Sequence, residues 1–292
     1  MMEFHPHAVA YLDILGFSNF VKAAEEDPIK LKQLDMLFNE VIPREISSEG
    51  RNSAFPDDME LKCLSCSDSL VISAPISEKS PYPSLVAVSI KAIQIAHAIL
   101  DIGYLVRGAI AVGNAHRTDS NIFGTGFQDA VEGEKLACNP QIMLTESAEY
   151  ELNKLKGNPY GTAAFFMKNE VDQIIVDSIY PYPTYLPGTE GDADYYFGKY
   201  KNIIINELLE CNDARVKEKW LWFARFFNGN VKWFTEHSAF LSDKTLIIND
   251  QAINFSFNFL NKPSEDSNWL KSHTAPCFIG RINIPKQSKE ES

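Results

Sequence analysis

Two carboxylates in this chain sit where apolar strands begin or end. Asp13 closes an apolar run in Tyr11-Leu12-Asp13-Ile14-Leu15-Gly16-Phe17-Ser18 and is followed at once by a glycine-containing turn. Asp68 stands at the head of a β-branched run in Cys66-Ser67-Asp68-Ser69-Leu70-Val71-Ile72-Ser73. A carboxylate at a strand end, beside backbone N–H groups left free by a turn, can hold a divalent cation against a phosphate chain. Two such acids at adjacent strand ends make a two-metal phosphoryl-transfer site. Each has a plainer reading when taken alone: Asp13 as the N-cap of a following helix, and Asp68, within Ser-Asp-Ser, as turn chemistry.

The elements around them bring the pair together. Residues 8–14 read as a buried strand, and residues 28–41 repeat Leu31, Leu34, Leu37, Phe38 and Val41 at helical spacing. Residues 61–64 and 70–74 read as two strands hinged near Asp68. Residues 85–102 form an amphipathic helix after the Ser80-Pro81-Tyr82-Pro83-Ser84 break, and residues 104–112 return as a strand. The order strand, helix, strand, strand, helix, strand predicts an α+β chain with a ferredoxin-like βαββαβ core, in which a tight hairpin sets Asp68 beside Asp13.

Further along, residues 126–137 and 146–155 read as helices, residues 142–144 as a short strand, and residues 163–167 with 173–176 as a hairpin. A Pro- and Tyr-rich stretch at 180–187 marks the main internal break, dividing the expected organisation into a catalytic unit, 1–180, and a C-terminal extension, 190–292, packed on it. Within the extension, residues 195–209 and 214–227 read as helices. The second carries Trp220, Trp222, Phe223, Phe226 and Phe227, a density expected of a packing surface. Strands are expected at 245–248 and 277–284, before a charged, loose end.

Composition narrows the function classes. With 292 residues, 45% of them hydrophobic, the chain can bury a full core, and a formal charge of -12 disfavours a nucleic-acid surface. No apolar stretch reaches the roughly 20 residues of a membrane span, and the N-terminus lacks the pattern of a secretory signal, so a soluble, cytoplasmic protein with no membrane partner is expected. Five scattered cysteines fit a reducing compartment. Cys63 and Cys66 have Cys-x-x-Cys spacing, but on a strand they face opposite sides and no second pair completes a zinc site.

Four motifs, in chain order, resemble the class III nucleotidyl cyclases: Asp13 with the turn after it, Asp68 on the hairpin, Arg107-Gly108-Ala109-Ile110-Ala111-Val112-Gly113, and Asn121-Ile122-Phe123-Gly124-Thr125-Gly126-Phe127-Gln128. The likeness spans roughly residues 8–144. Within that class the chain is most similar to the pyrimidine cyclases of the bacterial anti-phage systems called Pycsar, on those motifs, on Ala130 and Glu134 running into Asn139-Pro140-Gln141-Ile142, and on the later helix from Lys219-Trp220-Leu221-Trp222 to Phe227-Asn228. The resemblance implies conversion of UTP or CTP to its 3′,5′-cyclic monophosphate, which switches on a separate effector. It implies Asp13, the Ile14 carbonyl and Asp68 as ligands of two Mg²⁺ or Mn²⁺ ions. It implies backbone N–H groups of Leu15, Gly16, Phe17 and Ser18 around the phosphates, and Arg107 on the triphosphate. Asn121 then faces the base, Gln128 lies on the neighbouring helix, and a head-to-tail homodimer completes each site.

The chain also departs from that pattern. Gln128 and Glu132 stand where most members have a transition-state asparagine and arginine, and Leu64 stands where a purine-selecting lysine is expected. Arg107 together with a nearby cation such as Lys135 is one replacement for the missing arginine; a different arrangement of the site is the other. Arg107 also reads as an interface ion pair and Asn121 as a loop residue. The sequence leaves UTP and CTP equal, since the Asn121 amide serves either base by flipping. It also leaves open a cyclase-fold nucleotide sensor without turnover, a scaffold built on the aromatic helix, and a purine cyclase.

Overall fold

In the computed structural model, residues 3–46, 59–77, 82–155, 165–180, 193–237, 241–249 and 258–259 are described. Strand β1 (His5–Leu15) is central. It pairs antiparallel with β3 (Ser69–Pro75) on one side and β4 (Leu105–Arg117) on the other, and β2 (Lys62–Cys66) adds outside β3. The resulting order, β2-β3-β1-β4, with helices after β1 and β3, is the ferredoxin-like arrangement. The sheet continues past β4 through β6 (Ile142–Leu144), β8 (Ile174–Val176), β7 (Phe166–Lys168) and β9 (Asn258–Phe259), while β5 (Ile122–Phe123) folds back on β4. Only β6 runs parallel to its neighbour β4.

The two faces of the sheet are covered unequally, because β1 alternates. Ala8, Ala10, Leu12 and Ile14 join the large core under α4 (Ser84–Asp101), while Val9 and Tyr11 face the smaller cluster under α5 (Thr125–Leu136) with Val71, Ala111, Ala130 and Phe127. Buried nearly all round, α4 departs from the amphipathic helix the spacing predicts. Two of its buried polar residues are satisfied inside, since Lys91 donates to the Glu45 carbonyl and His97 Nδ1 and Nε2 meet the Tyr200 hydroxyl at 2.7 Å and the Tyr180 carbonyl at 3.0 Å, while Gln94 Oε1 has no partner among the described residues. Among the described residues it is the one helix long and apolar enough to cross a membrane, and it is packed inside the core.

Several expectations are corrected. The first strand is followed by α1 (Phe17–Glu26), which the periodicity does not reveal, and the repeat over 28–41 breaks into α2 (Pro28–Met36), a π-helical turn (Leu37–Val41) and α3 (Ile42–Ile46). Of that repeat Leu37 alone is fully buried, and Leu31 is exposed, because Asp27 caps a new helix at Pro28 that lies over the surface. Residues 244–246 form a 3₁₀ turn (Lys244–Leu246) capped by Asp243 in place of the expected strand at 245–248. The strand expected at 277–284 and residues 181–187 of the expected break lie outside the described residues.

The described part of the C-terminal segment packs on this core. α7 (Ala193–Glu210) reaches His97 through Tyr200, and α8 (Ala214–His237) buries Trp220, Trp222, Phe223, Phe226 and Phe227, so the aromatic helix is core. Helix α6 (Glu146–Lys154) packs its buried Ala148 and Leu152 into the same cluster.

Beneath α8 lies Asp177, fully buried, its Oδ1 accepting from the Ile179 N–H at 3.2 Å and its Oδ2 without a partner among the described residues. Burial pushes its carboxyl up to about 8, against the lowering effect of the bonds from Ile179 and Asn230. Between pH about 4 and 8 the unfolded chain ionises Asp177 while the folded chain keeps it protonated, so stability falls as pH rises through that window. Asp177→Asn is therefore expected to raise unfolding stability by roughly 2 kcal/mol at pH 7 and to flatten the pH slope between 5 and 8. Urea titrations at several pH values check both; an unchanged slope contradicts the assignment.

Candidate active site

The end of β1 and the β2–β3 hairpin meet at one point. The hairpin turns through Ser67 and Asp68, with Ser67 at φ 57°, and the Asp68 carbonyl accepts the Ile14 N–H at 3.1 Å. That bond ties the turn to the strand end, and Asp13, paired in register with Ser69, lies close enough to Asp68 for the second acid to raise the first one's pKa. Strand geometry directs a residue's N–H and C=O to the same side, so the Ile14 carbonyl also faces the hairpin.

Immediately beyond, Gly16 takes φ 82°, ψ 11°, a left-handed conformation that costs a side-chain-bearing residue strain. It reverses the chain into α1, where Gly16 O accepts from Asn19 and Phe20. The N-cap is Gly16, so the reading of Asp13 as a helix cap is overturned: its carboxylate belongs to the strand end. The first N–H groups of α1, at Phe17 and Ser18, have no intrahelical acceptor and open beside Asp13.

Arg107 is opposite Asp13 on β4, in direct register. Its Nη2 lies 3.4 Å from Asp13 Oδ2 and also pairs with Glu134 Oε1 on α5, a carboxylate of 7% side-chain exposure. Its Nε is buried without an acceptor among the described residues. The placement of Glu134 follows from Gly133 before it, where a Cβ would come 2.7 Å from that of Ala109. Only glycine lets α5 lie this close to β4, and Ala109 sits two residues from Arg107 on the same strand face. Arg107 thus forms an ion pair within the chain, with two acids.

This arrangement holds surplus negative charge. Burial, and next the charge of Glu134, push the Asp13 carboxyl up to about 6; Arg107 opposes, Asp68 raises it further, and Lys219 on α8 lowers it. No group of three or more His, Cys, Asp or Glu side chains converges on a metal position among the described residues. Even so, a divalent cation fits the donor set present: two aspartates and a backbone carbonyl, oxygen ligands only, crowded enough that one carboxyl resists ionising.

Asn121 and Gln128 lie elsewhere in the single chain. Asn121 sits in the β4–β5 turn, exposed, its N–H bonded to Thr118 Oγ1 at 3.0 Å and its carbonyl taking the Thr118 N–H at 2.8 Å. Ten strand residues separate Arg107 from Arg117, about 33 Å at strand rise. Within one chain Asn121 therefore cannot reach the Asp13 site. Gln128 and Glu132 face solvent on α5, as does Lys135, while the same helix turns Gly126, Ala130, Gly133 and Glu134 inward. Leu64 packs against the small cluster with Val71. Cys63 is half-buried and Cys66 exposed, on opposite strand faces.

The sequence names Glu134 and Lys219 only within the stretches that carry the resemblance and gives neither a role beside Asp13. Glu134 pairs with Arg107, and its signal is an acid one residue past the glycine of a helix that otherwise turns small residues inward; Lys219 acts on Asp13 through its charge.

No protein-family model matches the chain, and no curated protein matches its sequence. Among solved structures it is similar to the adenylyl cyclase CyaB from P. aeruginosa, at 12% identity and TM-score 0.40 over 60% of this chain and 93% of that one. It is similar also to the monomeric guanylyl cyclase domain of the RhoGC fusion protein from Blastocladiella emersonii, at 14% identity and TM-score 0.36 over 59% and 95%. A third is a class III adenylyl cyclase-like ATP-binding protein from Pseudomonas aeruginosa, at 12% identity and TM-score 0.37 over 53% and 37%. What the site does rests on this chain's own residues.

Proposed function

We propose that this protein is a metal-dependent nucleotidyl cyclase that converts a pyrimidine nucleoside triphosphate, UTP or CTP, to its 3′,5′-cyclic monophosphate and pyrophosphate. The observation that carries the proposal is the clamp of the Asp68 carbonyl on the Ile14 N–H, which gathers two aspartates beside the open N-terminus of α1. Asp13, Asp68 and the Ile14 carbonyl would hold Mg²⁺ or Mn²⁺, which supplies charge neutralisation for the phosphates and acidifies the ribose 3′-hydroxyl. The N–H groups from Leu15 to Ser18 bind the phosphate oxygens, with Gly16 leaving room for close approach. Arg107 steadies the charge that builds on the departing pyrophosphate. The 3′-oxygen attacks the α-phosphorus in line, the bond to the β-phosphate oxygen breaks, and the hydroxyl proton is released.

The distance between Asn121 and Asp13 supports a base-reading role for Asn121, and a neighbouring role for Gln128, only across a homodimer with composite sites. Leu64, packed in an apolar cluster, offers a purine no lysine to contact, which supports the pyrimidine reading; the anti-phage messenger role, acting in the cytoplasm through a separate effector, rests on the sequence resemblance. A second reading, a nucleotide-binding sensor without turnover, is favoured by one observation: Arg107 is already engaged by two acids.

Incubation of the full chain with each of the four ribonucleoside triphosphates and Mn²⁺, with products resolved by mass spectrometry, separates these. A cyclic pyrimidine monophosphate with pyrophosphate is expected. A nucleotide that raises the melting temperature without being consumed favours the sensor, and a cyclic purine product overturns the base assignment.

A further inference from the structure

A pair of hydroxyls shares the sheet face of Asp13. Tyr11 stands two residues before Asp13 on β1, so the two side chains leave the strand on the same side. Ser69, the residue after Asp68, lies directly opposite Asp13 in the register of β1 with β3, on that same face, with about 5 Å between the two Cβ atoms. The Tyr11 and Ser69 hydroxyls meet at 2.7 Å, and among the described residues neither makes another side-chain hydrogen bond. Both residues are half-buried, so each keeps surface that a ligand can reach. Phe127 of α5 holds the tyrosine ring edge-on, with ring centroids 6.2 Å apart. Past the tyrosine the face is apolar, at Val9, Val71, Ala111 and Ala130. The hydroxyl pair therefore lies where the acidic site gives way to the small apolar cluster.

We propose that Tyr11 and Ser69 together read the 2′-hydroxyl of the nucleotide sugar and so make the site selective for ribonucleotides. The inference rests on the cyclase reading for its substrate and deepens it. A cation on Asp13 and Asp68 that acidifies the 3′-hydroxyl brings the sugar against this face, and the 2′-hydroxyl is on the neighbouring carbon. The neighbour of Asp13 on β4, Arg107, is charged and taken up by carboxylates, whereas its neighbour on β3, Ser69, presents a neutral group. Once the two hydroxyls share one hydrogen bond they retain an O–H and free lone pairs, so they can both donate to a sugar hydroxyl and accept from it. A 2′-deoxy sugar leaves those groups unpaired, and a site built to bond a hydroxyl rejects the analogue that lacks it.

The test reads binding, which does not require turnover. The probes are the α,β-methylene analogues of the four ribonucleoside triphosphates, whose α-phosphorus cannot release pyrophosphate, and the 2′-deoxy counterparts of each. With Mn²⁺ present they are titrated by calorimetry into the full chain, as wild type, Tyr11→Phe, Ser69→Ala and Ser69→Thr. Wild type is expected to bind its preferred ribonucleotide about tenfold more tightly than the 2′-deoxy form. Tyr11→Phe and Ser69→Ala should each narrow that ratio to within about threefold, by weakening the ribonucleotide alone, and Ser69→Thr, which keeps a hydroxyl, should hold most of it. A wild type that binds both sugars equally overturns the inference, and so does one that binds no analogue. A ratio that survives in Tyr11→Phe and Ser69→Ala overturns it too, even where those variants melt lower, because the hydrogen bond then serves only the fold. Failure of the cyclase reading shows separately, as a ribonucleotide preference that depends on the pair in a protein that forms no cyclic product from any natural triphosphate.

Discussion

Asp13→Asn is expected to abolish cyclic-nucleotide formation, by at least about a thousandfold, while making the metal-free protein more stable at neutral pH. The two effects have one cause. Burial and the nearby charge of Glu134 push the Asp13 carboxyl up to about 6, so the fold disfavours the ionised form that a cation requires. From pH about 4 to 6 the unfolded chain gives up this proton more readily than the folded one, and stability drops as pH rises through that window. The amide removes the drop, for a gain of roughly 1–2 kcal/mol at pH 7.5 and none at pH 4. Product assays and denaturant titrations at the two pH values check it; a variant less stable than wild type at pH 7.5 contradicts this account of the site.

Arg107→Ala is expected to destabilise the protein by about 3 kcal/mol as well as to cost activity. Glu134 is 7% exposed at its side chain, and Arg107 is the cation that pairs with it among the described residues. Removing one partner of a buried pair leaves an uncompensated charge, a far larger cost than the pair's net contribution. Adding Glu134→Gln removes that charge, so the double variant should recover a large part of the stability but not the activity. A double-mutant cycle by urea unfolding reads the coupling directly. Additive losses would mean that the two side chains do not share an ion pair in solution.

The core order of strands and helices was legible because its signals are local and periodic: Asp13 at the end of an apolar run, the Ser67-Asp68 hinge between two β-branched runs, and the long apolar α4. Helix α1 was not legible, since its start is fixed by the left-handed Gly16 and it buries only Phe20 and Ala24. The 28–41 repeat misled because apolar spacing shows that a helix can bury a face, not that the fold offers a surface there; Leu31 remains exposed. Asp13, Asp68 and Arg107 converge because β1 pairs in register with β3 and β4, and the expected βαββαβ order already makes those strands its neighbours. Glu134 is placed by packing, through the Gly133 contact with β4, and local pattern does not encode such a contact.

The central claim is that Asp13 and Asp68 form one divalent-cation site at the end of β1. Mn²⁺ titration of the full chain, followed by electron paramagnetic resonance of the free ion, tests it most directly for wild type, Asp13→Asn and Asp68→Asn. Saturable binding by the wild type, weakened at least tenfold by either substitution, is the expected result. Binding that survives both substitutions unchanged, or no binding by the wild type with or without nucleoside triphosphate, would contradict the claim.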